Sequence, residues 1–446
     1  MLIKKNTANK IFKAAWIYFL IVNIAELKIP SELDLIPFIH VSEIPLIKYL
    51  PIILAALFLI PPKEFLNPFK DKKILLIIIP VFLLIITGYI SSLFASHRQT
   101  ALGVCNRITY YFAILLMCIA AARYFPGASN FMLKSFIYSN VLVITGSLLD
   151  FYVPEFHEFL VKHFGRQETY HSLVRIGDVK IMRPMGFLTD SNLTAFSIAM
   201  ALLLLLFNYK HFNKIFRYGF YILGTYIFGM LVSRSSLLIC VLTIIIFFIF
   251  KVVERKELYL FIAMFVIFQL ITPQTYGKLY SLFTKKQTET ELSSGRLVIW
   301  EAAFTVFLES PVIGAGPGNF FELSRNYIRD ILKKMPEINI GDPAKAKYHQ
   351  IDRLNPHNIF LVMLSEIGMV GLIMFLILLI LLNKILINEK KYISFLFLFN
   401  ILIVSSFSNF APYYKFYLVI CIVFYIVSNN NMKLSSTEPV KLKTND

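Results

Sequence analysis

The sequence predicts an all-α membrane protein that crosses the bilayer about 12 times, and two observations carry this prediction. Of its 446 residues, 57% are hydrophobic and only 16% are charged, and the mean hydropathy is +0.68. A water-soluble domain is about 25% charged, so the missing polar surface indicates lipid contact. The second observation is a series of apolar runs of roughly 16 to 25 residues, each able to cross a ~30 Å hydrocarbon core as a helix.

Twelve such runs follow one another along the chain, at 11–27, 46–60, 74–94, 108–122, 132–152, 192–207, 216–232, 236–250, 258–272, 358–382, 393–410 and 413–428. The first run ends without a small-residue cleavage site, so it is not expected to be a cleaved signal peptide. An even number of spans places both termini on one side, and Lys and Arg indicate which side. With cytoplasmic termini, the inner segments hold 22 Lys and Arg while the short outer loops hold six.

This topology divides the chain into four parts. Residues 1–272 form spans one to nine and include an external segment at about 153–191, residues 273–357 form one large periplasmic loop, residues 358–428 form spans ten to twelve, and residues 429–446 form a cytoplasmic tail. The net charge of +17 mostly reflects the topology, because the large loop carries 11 Lys and Arg against nine Asp and Glu. No polybasic surface for nucleic acid is predicted. The four cysteines are expected to be buried as small hydrophobic residues (Cys105, Cys118, Cys240 and Cys421).

The large loop is predicted to be partly helical. A first helix is expected from Gly295-Arg296 to about Glu309, where Pro311 and the run GAGPG (314–318) end it. An amphipathic stretch at about 319–335 predicts a second helix, with its apolar residues on one side (Phe320, Leu323, Tyr327 and Ile331). The loop is therefore expected to fold against the membrane.

His357 stands in the sequence Pro356-His357-Asn358, directly before the tenth apolar run. The backbone N–H groups and the dipole of a helix N-terminus disfavour an added proton on a nearby imidazole. A neutral histidine at this position can accept a proton, as a general base must. The alternative is an interfacial histidine that caps the span.

Three arginines are candidate ligands of a phosphate group, because a guanidinium can bind phosphate through paired hydrogen bonds. Arg234 interrupts the apolar stretch 216–250 in V-S-R-S-S, which places it at the outer boundary of the membrane. Arg183 lies in R-P-M-G-F, where Pro and Gly favour a fixed turn. Arg296 lies in the first turn of a helix, where the dipole disfavours a cation without an anionic partner. The alternative is that each arginine is a surface residue, with Arg234 snorkelling to the headgroups.

Several motifs that would indicate other chemistry are absent from the sequence. It contains no D-x-D pair at an outer boundary, no G-x-x-x-x-G-K-[ST] loop and no H-E-x-x-H. A metal-dependent glycosyltransferase is therefore disfavoured, and no metal or other cofactor is expected. Charged residues in the middle of spans are nearly missing, which disfavours a proton-coupled transporter.

Several motifs together resemble the O-antigen ligase/polymerase superfamily. They are G-R-x-x-x-W at Gly295 to Trp300, E-S-P-V-I-G-A-G-P-G-N-F at 309–320, P-H-N-I-F-L at 356–361 and S-E-I-G-M-V-G-L at 365–372. The segments V-S-R-S-S-L-L around Arg234 and R-P-x-G-x-x-x-D-S-N at 183–192 are similar to further parts of that family. The resemblance covers about 183–372, and the order of several motifs makes it specific.

The resemblance implies a GT-C-like fold and a glycosyltransferase of the bacterial inner membrane. Such an enzyme moves an oligo- or polysaccharide from undecaprenyl diphosphate to an acceptor hydroxyl on the periplasmic side. The first reaction implied is ligation of O-antigen to lipid A core, in lipopolysaccharide biosynthesis. O-antigen or exopolysaccharide polymerisation on the same donor and transfer to a protein hydroxyl are alternatives, and a lipid or solute transporter is the alternative from another class.

The resemblance also assigns roles to the four candidate residues in a metal-independent, inverting mechanism. His357 would deprotonate the acceptor hydroxyl. Arg234 and Arg296 would bind the diphosphate and stabilise the leaving group, and Arg183 would be a further diphosphate ligand. The implied partners are the carrier-linked glycan donor, a lipid A core or other glycan acceptor, and membrane lipids, with no nucleic acid.

Overall fold

The computed structural model describes residues 4–24, 46–164, 173–176, 179–188, 191–273, 296–334, 356 and 358–388. Its helices are α1 (Lys5–Ile24), α2 (Leu46–Leu59), α3 (Pro62–Leu66), α4 (Lys72–Phe94), α5 (Arg98–Tyr124), α6 (Ala128–Tyr152), α7 (Pro154–Phe164), α8 (Ser191–Phe207), α9 (Lys214–Leu231), α10 (Arg234–Ile249), α11 (Arg255–Ile271), α12 (Arg296–Glu309), α13 (Phe320–Lys334) and α14 (Ile359–Asn388). Two 3-10 turns, Asn67–Lys70 and Tyr209–His211, join neighbouring helices.

Each of the first ten predicted spans lies on a helix, namely on α1, α2, α4 to α6, α8 to α11 and α14. Four of these helices contain segments long and apolar enough to cross a membrane, at Ile74–Phe94, Arg98–Tyr124, Asn130–Tyr152 and Ile359–Leu381. Ser191–Phe207 and Ser235–Ile249 are shorter apolar helices. The protein is therefore an integral membrane protein built from helices. The eleventh and twelfth predicted spans lie outside the described residues, so the number twelve stays a prediction.

The all-α prediction needs one correction, which is a small β-hairpin in the segment 153–191. Strands β1 (Leu173–Ile176) and β2 (Val179–Met182) pair antiparallel, with Leu173 opposite Met182 and Ile176 opposite Val179. Both strands are rich in β-branched residues, and the sequence between them is Gly177-Asp178, a pair typical of hairpin turns. Each strand has only four residues, so its alternating pattern was not recognised between the long apolar spans.

Helix α8 is buried on every side. Its residues from Ser191 to Leu206 are almost all inaccessible, and it packs against α6, α9 and α10. A helix that is apolar all round is expected to lie inside a protein or a membrane. Its polar residues have partners, as in the hydrogen bond from Ser197 Oγ to Asn140 Oδ1 of α6 (2.8 Å). This arrangement makes α8 the centre of the helices around it.

The first helices form one side of the same core. Trp16 of α1 is 1% exposed, and its Nε1 donates to Ser135 Oγ of α6 over 2.9 Å. Cys105, Cys118 and Cys240 are buried thiols, which confirms the prediction made for them. Cys421 lies outside the described residues.

Helices α9 and α11 share a buried ion pair near their first turns. Arg217 Nε lies 2.8 Å from Glu257 Oε1, and the two side chains are only 8% and 7% exposed. The guanidinium also lies over the rings of Tyr209 and Tyr218 and donates to the carbonyl oxygen of Tyr209. A buried charge pair needs such additional partners to offset its desolvation. The pair lies at the opposite end of α9 from Leu231, where the site begins.

The two helices predicted in the large loop are confirmed, since α12 and α13 begin and end within one or two residues of the expected positions. They form a separate small core around Val298, Ile299, Phe320 and Ile328. The predicted apolar side of α13 faces this core, because Leu323, Tyr327 and Ile331 pack against it. The position of this loop on the periplasmic side stays a prediction.

Candidate active site

Helix α12, which begins at Arg296, is bonded to the segment that leads into α14. Arg296 is the first residue of α12, and Trp300 follows one turn later on the same side of the helix. The indole Nε1 of Trp300 donates a hydrogen bond to the carbonyl oxygen of Pro356 (2.8 Å). His357, the next residue, lies outside the described residues. The main chain that leads into His357 is nevertheless attached to the helix of Arg296.

The start of α14 is fixed by a side-chain cap. Asn358 Oδ1 accepts hydrogen bonds from the backbone N–H groups of Phe360 (2.9 Å) and Leu361 (3.3 Å). An asparagine before the first turn satisfies amides that have no partner inside the helix. The prediction that a helix starts directly after Pro356-His357-Asn358 is thus confirmed, since α14 begins at Ile359.

The GAGPG loop is inserted into a break in α14. Helix α14 is interrupted at Gly368, where φ is 73° and ψ is −169°. In a regular helix the N–H groups of residues 369 and 370 would donate to the carbonyls of residues 365 and 366. Here Met369 N donates to Pro311 O (2.9 Å) and Val370 N to Val312 O (3.3 Å).

The two carbonyl groups that lose their helical partners at this break also accept hydrogen bonds. Ser365 O accepts from Ala315 N (2.9 Å), and Glu366 O accepts from Gly316 N (2.8 Å) and from Ser91 Oγ of α4 (3.0 Å). Two backbone bonds of the helix are thus replaced by four bonds to the loop that follows α12. The motifs E-S-P-V-I-G-A-G-P-G and S-E-I-G-M-V-G therefore form one structural unit.

Two glycines are required where the loop and the helix meet. Gly314 and Gly368 both have positive φ, at 71° and 73°. A Cβ on Gly368 would lie 2.4 Å from Val312 O, and a Cβ on Gly314 would lie 2.4 Å from Glu366 C. Only glycine allows this backbone conformation and this close approach.

Arg183 joins two other motifs. Its Nε donates to the carbonyl oxygen of Leu231, the last residue of α9, over 2.6 Å, and its Nη2 donates to Asn192 Oδ1 over 3.3 Å. The R-P-M-G-F segment is thus bound to the turn V-S-R-S-S that carries Arg234. The predicted diphosphate ligand Arg183 thus makes contacts within the protein, to Leu231 and Asn192.

Arg234 is the first residue of α10 and follows a strained turn. Val232 has φ 48° and ψ 42°, a left-handed conformation that a β-branched residue rarely adopts. Such strain costs on the order of 1–3 kcal/mol and persists only where the surroundings hold it. Ser233 and Ser236 flank Arg234 and are buried, with Ser233 Oγ donating to Ser236 Oγ (3.1 Å). The side chain of Arg234 lies outside the described residues.

The contacts therefore define two pairs of segments. In the first pair, Arg183 is hydrogen-bonded to the end of α9, directly before the turn of Arg234. In the second pair, the helix that begins at Arg296 is hydrogen-bonded to Pro356, directly before His357. The convergence of all four residues at one place stays a prediction. Within the described ranges, no group of three His, Cys, Asp or Glu side chains is placed to hold a metal ion.

One polar residue next to this site was not singled out by the sequence as functional. Asp150, near the end of α6, is buried, and its Oδ2 accepts from Met185 N (2.7 Å) and Gly186 N (3.0 Å). Its Oδ1 lies 2.9 Å from His157 Nδ1. The signal in the sequence was a single acidic residue at the end of an apolar run, whose charge requires partners.

One titratable contact joins α12 and α13 beside their shared small core. The hydroxyl of Tyr327 on α13 donates to Glu309 Oε1 at the end of α12. This hydrogen bond to a carboxylate raises the pKa of Tyr327 above its ordinary value, and desolvation acts in the same direction. The contact is independent of the two arginine-containing pairs.

The fold and the site together define a class, that of helical integral membrane proteins with arginine-containing motifs on connected loops. Residues 219–376 match the model of the family described as O-antigen ligase, and this match supports the O-antigen ligase superfamily. The match confirms the resemblance found in the motifs and supports membrane glycosyl transfer of the ligase or polymerase type. The matched residues run from α9 into α14 and include the positions of Arg234, Arg296 and His357. No curated protein matches this sequence.

Proposed function

We propose that this protein is a glycan transferase that moves an oligo- or polysaccharide from undecaprenyl diphosphate to an acceptor hydroxyl. The observation that carries the proposal is the O-antigen ligase match over 219–376, because it contains Arg234, Arg296 and His357. The acceptor proposed first is lipid A core, so that the reaction is O-antigen ligation. In this proposal the enzyme lies in the inner membrane with cytoplasmic termini, and its site faces the periplasm.

In the proposed reaction, the bond between the anomeric carbon and the diphosphate oxygen breaks. The electron pair of that bond stays on the diphosphate, whose negative charge increases. Arg234 and Arg296 bind the diphosphate and offset this charge, as fixed cationic donors do in other leaving-group sites. No metal is required for this step.

The acceptor hydroxyl attacks the anomeric carbon from the opposite side, which inverts the configuration. Its proton passes to the imidazole of His357, which acts as general base. The hydrogen bond from Trp300 to Pro356 supports this role, because it fixes the main chain next to His357 relative to the helix of Arg296. This hydrogen bond therefore connects the segment of the proposed base to the helix of one proposed cation.

A transporter is disfavoured by the hydrogen bonds that the backbone makes at the break in α14. Transporters expose the backbone groups of broken helices to their cargo. At Gly368, in contrast, the freed groups bond to residues 311–316 of the same chain. The break therefore supports a fixed loop rather than a cargo site.

The proposal is tested by reconstituting the purified protein with a labelled carrier-linked glycan and lipid A core. Transfer of label to the core in the presence of EDTA is the expected result. Longer carrier-linked chains would instead identify a polymerase, and label on a protein hydroxyl would identify a protein transferase. Movement of the donor across the membrane without any transfer would contradict the proposal. In cells, deletion should leave rough lipopolysaccharide while carrier-linked polymer accumulates.

A further inference from the structure

The turn formed by residues 183–188 is held by three helices at once. On the side of α6, the carboxylate of Asp150 accepts from the backbone N–H groups of Met185 and Gly186. On the side of α8, Thr194 Oγ1 donates to the carbonyl oxygen of Met185 (2.9 Å). On the side of α7, the ring of Phe156 packs edge-on against Phe187. Met185 and Gly186 are buried, so their amides depend on Asp150.

The shape of the turn also depends on its close approach to α6. Gly186 has φ 61°, and a Cβ there would lie 2.7 Å from the backbone nitrogen of Ser147. A Cβ on Gly146 would lie 2.5 Å from the ring of Phe187. Asp150 lies one turn further along the same face of α6, where it anchors the turn that these two glycines bring close.

Arg183 connects the 183–188 turn to the turn that precedes Arg234. Its Nε donates to Leu231 O, which belongs to the peptide that joins Leu231 to the strained Val232. A strained residue needs surroundings that fix it. Arg234 begins α10 two residues after Val232, so this peptide fixes the main chain that leads into α10.

We propose that Asp150 is a positioning residue of the active site. It fixes the 183–188 turn, Arg183 of that turn holds the peptide before Val232, and the strained turn in turn presents Arg234 to the diphosphate. This inference rests on the proposed function only for the ligand of Arg234. It gives Arg183 a supporting task that its contacts with Leu231 and Asn192 favour. Asp150 and Arg183 both lie outside the matched residues 219–376.

The test is a double-mutant cycle with Asp150→Ala, Arg183→Ala and the combined variant, assayed for transfer from carrier to acceptor. Each single variant is expected to lower kcat/KM on the order of 10²-fold, the effect of misplacing a reacting group by about 1 Å. Because both residues act through the same turn, the double variant is expected to be no worse than the poorer single variant. Asp71→Asn is the matched control, since Asp71 pairs with Arg123 at a partly exposed site away from this turn.

Each outcome decides one of the two proposals. Absence of transfer by the wild-type protein would overturn the proposed function itself. An active wild type with an equally active Asp150→Ala, or a double variant whose loss is the product of the single losses, would overturn the positioning role alone. If Asp150→Ala does not yield folded protein, as judged by its thermal unfolding in detergent, Asp150→Asn replaces it. Asparagine keeps one acceptor oxygen, so a smaller loss that is still non-additive with Arg183→Ala is expected.

Discussion

Trp300 and Pro356 are 56 residues apart in the sequence and are joined by a hydrogen bond from the indole Nε1 to the carbonyl oxygen, 2.8 Å long. This bond attaches α12, whose first residue is Arg296, to the residue before His357. A neutral contact therefore connects the segments of two elements of the proposed chemistry, a cation and a base. The W of G-R-x-x-x-W and the P of P-H-N meet at this point.

The first prediction concerns this bond. Trp300→Phe removes the N–H donor and keeps an aromatic ring, so the main chain before His357 loses its attachment to α12. We expect transfer activity to fall on the order of 10- to 100-fold, since catalysis is sensitive to small displacements. The loss in the free energy of unfolding should be only about 1 kcal/mol, the usual net contribution of such a bond. The measurement is kcat/KM together with thermal unfolding.

The matched control for Trp300→Phe is the same change at the other tryptophan. Trp16→Phe also removes an indole hydrogen bond, the one to Ser135, at a place far along the chain from the motifs. It should cost comparable stability and leave activity unchanged. Equal loss of activity in both variants would show that Trp300 acts only through stability.

The second prediction concerns the base and the two arginines. His357→Ala should lower kcat by about 10²- to 10⁴-fold, the usual contribution of a general base. Arg234→Ala and Arg296→Ala should each cost about 10²- to 10³-fold, and Lys at either position should restore activity only in part because an ammonium cannot form the bidentate contact. Single-turnover transfer assays on protein with normal membrane insertion measure these effects.

Arg123 offers a control for the arginine variants. It pairs with Asp71, and both side chains are more than 30% exposed. Exposed ion pairs contribute little to stability, so Arg123→Ala should have nearly wild-type activity. Full activity of His357→Ala, or of both lysine variants, would contradict the proposed chemistry.

The sequence was sufficient for the elements whose own residues determine them. Apolar runs predicted ten of the helices that the structure describes, and the break after Glu309 followed from Pro311 and the GAGPG run. The hairpin Leu173–Met182 was missed because its four-residue strands are too short to stand out beside long apolar spans. Local patterns therefore predicted long helices well and short strands poorly.

The contacts of the site were beyond prediction because they join distant parts of the chain. The bond from Arg183 to Leu231 spans 48 residues, and Asp150 reaches Met185 across 35. The spacing of apolar residues along the sequence does not indicate such long-range pairings. The motifs indicated that Arg183 and Arg234 matter, but only the fold indicates that one of them holds the turn of the other.

The third prediction is a pH dependence of the contact between α12 and α13. The hydrogen bond to Glu309 raises the pKa of Tyr327, so the neutral phenol is favoured in the folded protein. The contact should therefore stabilise the protein fully below the ordinary tyrosine pKa of about 10. This stability should be lost as the pH rises through the raised pKa of the folded state. Thermal unfolding of wild type and Tyr327→Phe between neutral and alkaline pH measures it.

In that experiment, the difference between wild type and Tyr327→Phe should shrink at the alkaline end. A Tyr327→Phe difference that stays constant with pH would mean that the bond to Glu309 does not stabilise the loop helices.

The fourth prediction concerns the exchange of backbone bonds at Gly368. Gly368→Ala adds a Cβ that would lie 2.4 Å from Val312 O at a φ of 73°, so the inserted loop must move or the helix must close without it. Loss of more than about 2 kcal/mol in the free energy of unfolding is expected from the strain alone.

Gly103→Ala in α5 is the matched control, since a Cβ there meets nothing within 4 Å, and alanine should be neutral or stabilising by about 0.5–1 kcal/mol. Because the loop ties α12 to α14, Gly368→Ala should also lower transfer activity, whereas Gly103→Ala should not. Wild-type stability in Gly368→Ala would mean that the helix tolerates the loop without the positive φ, and the insertion would then not be what holds α12 against α14.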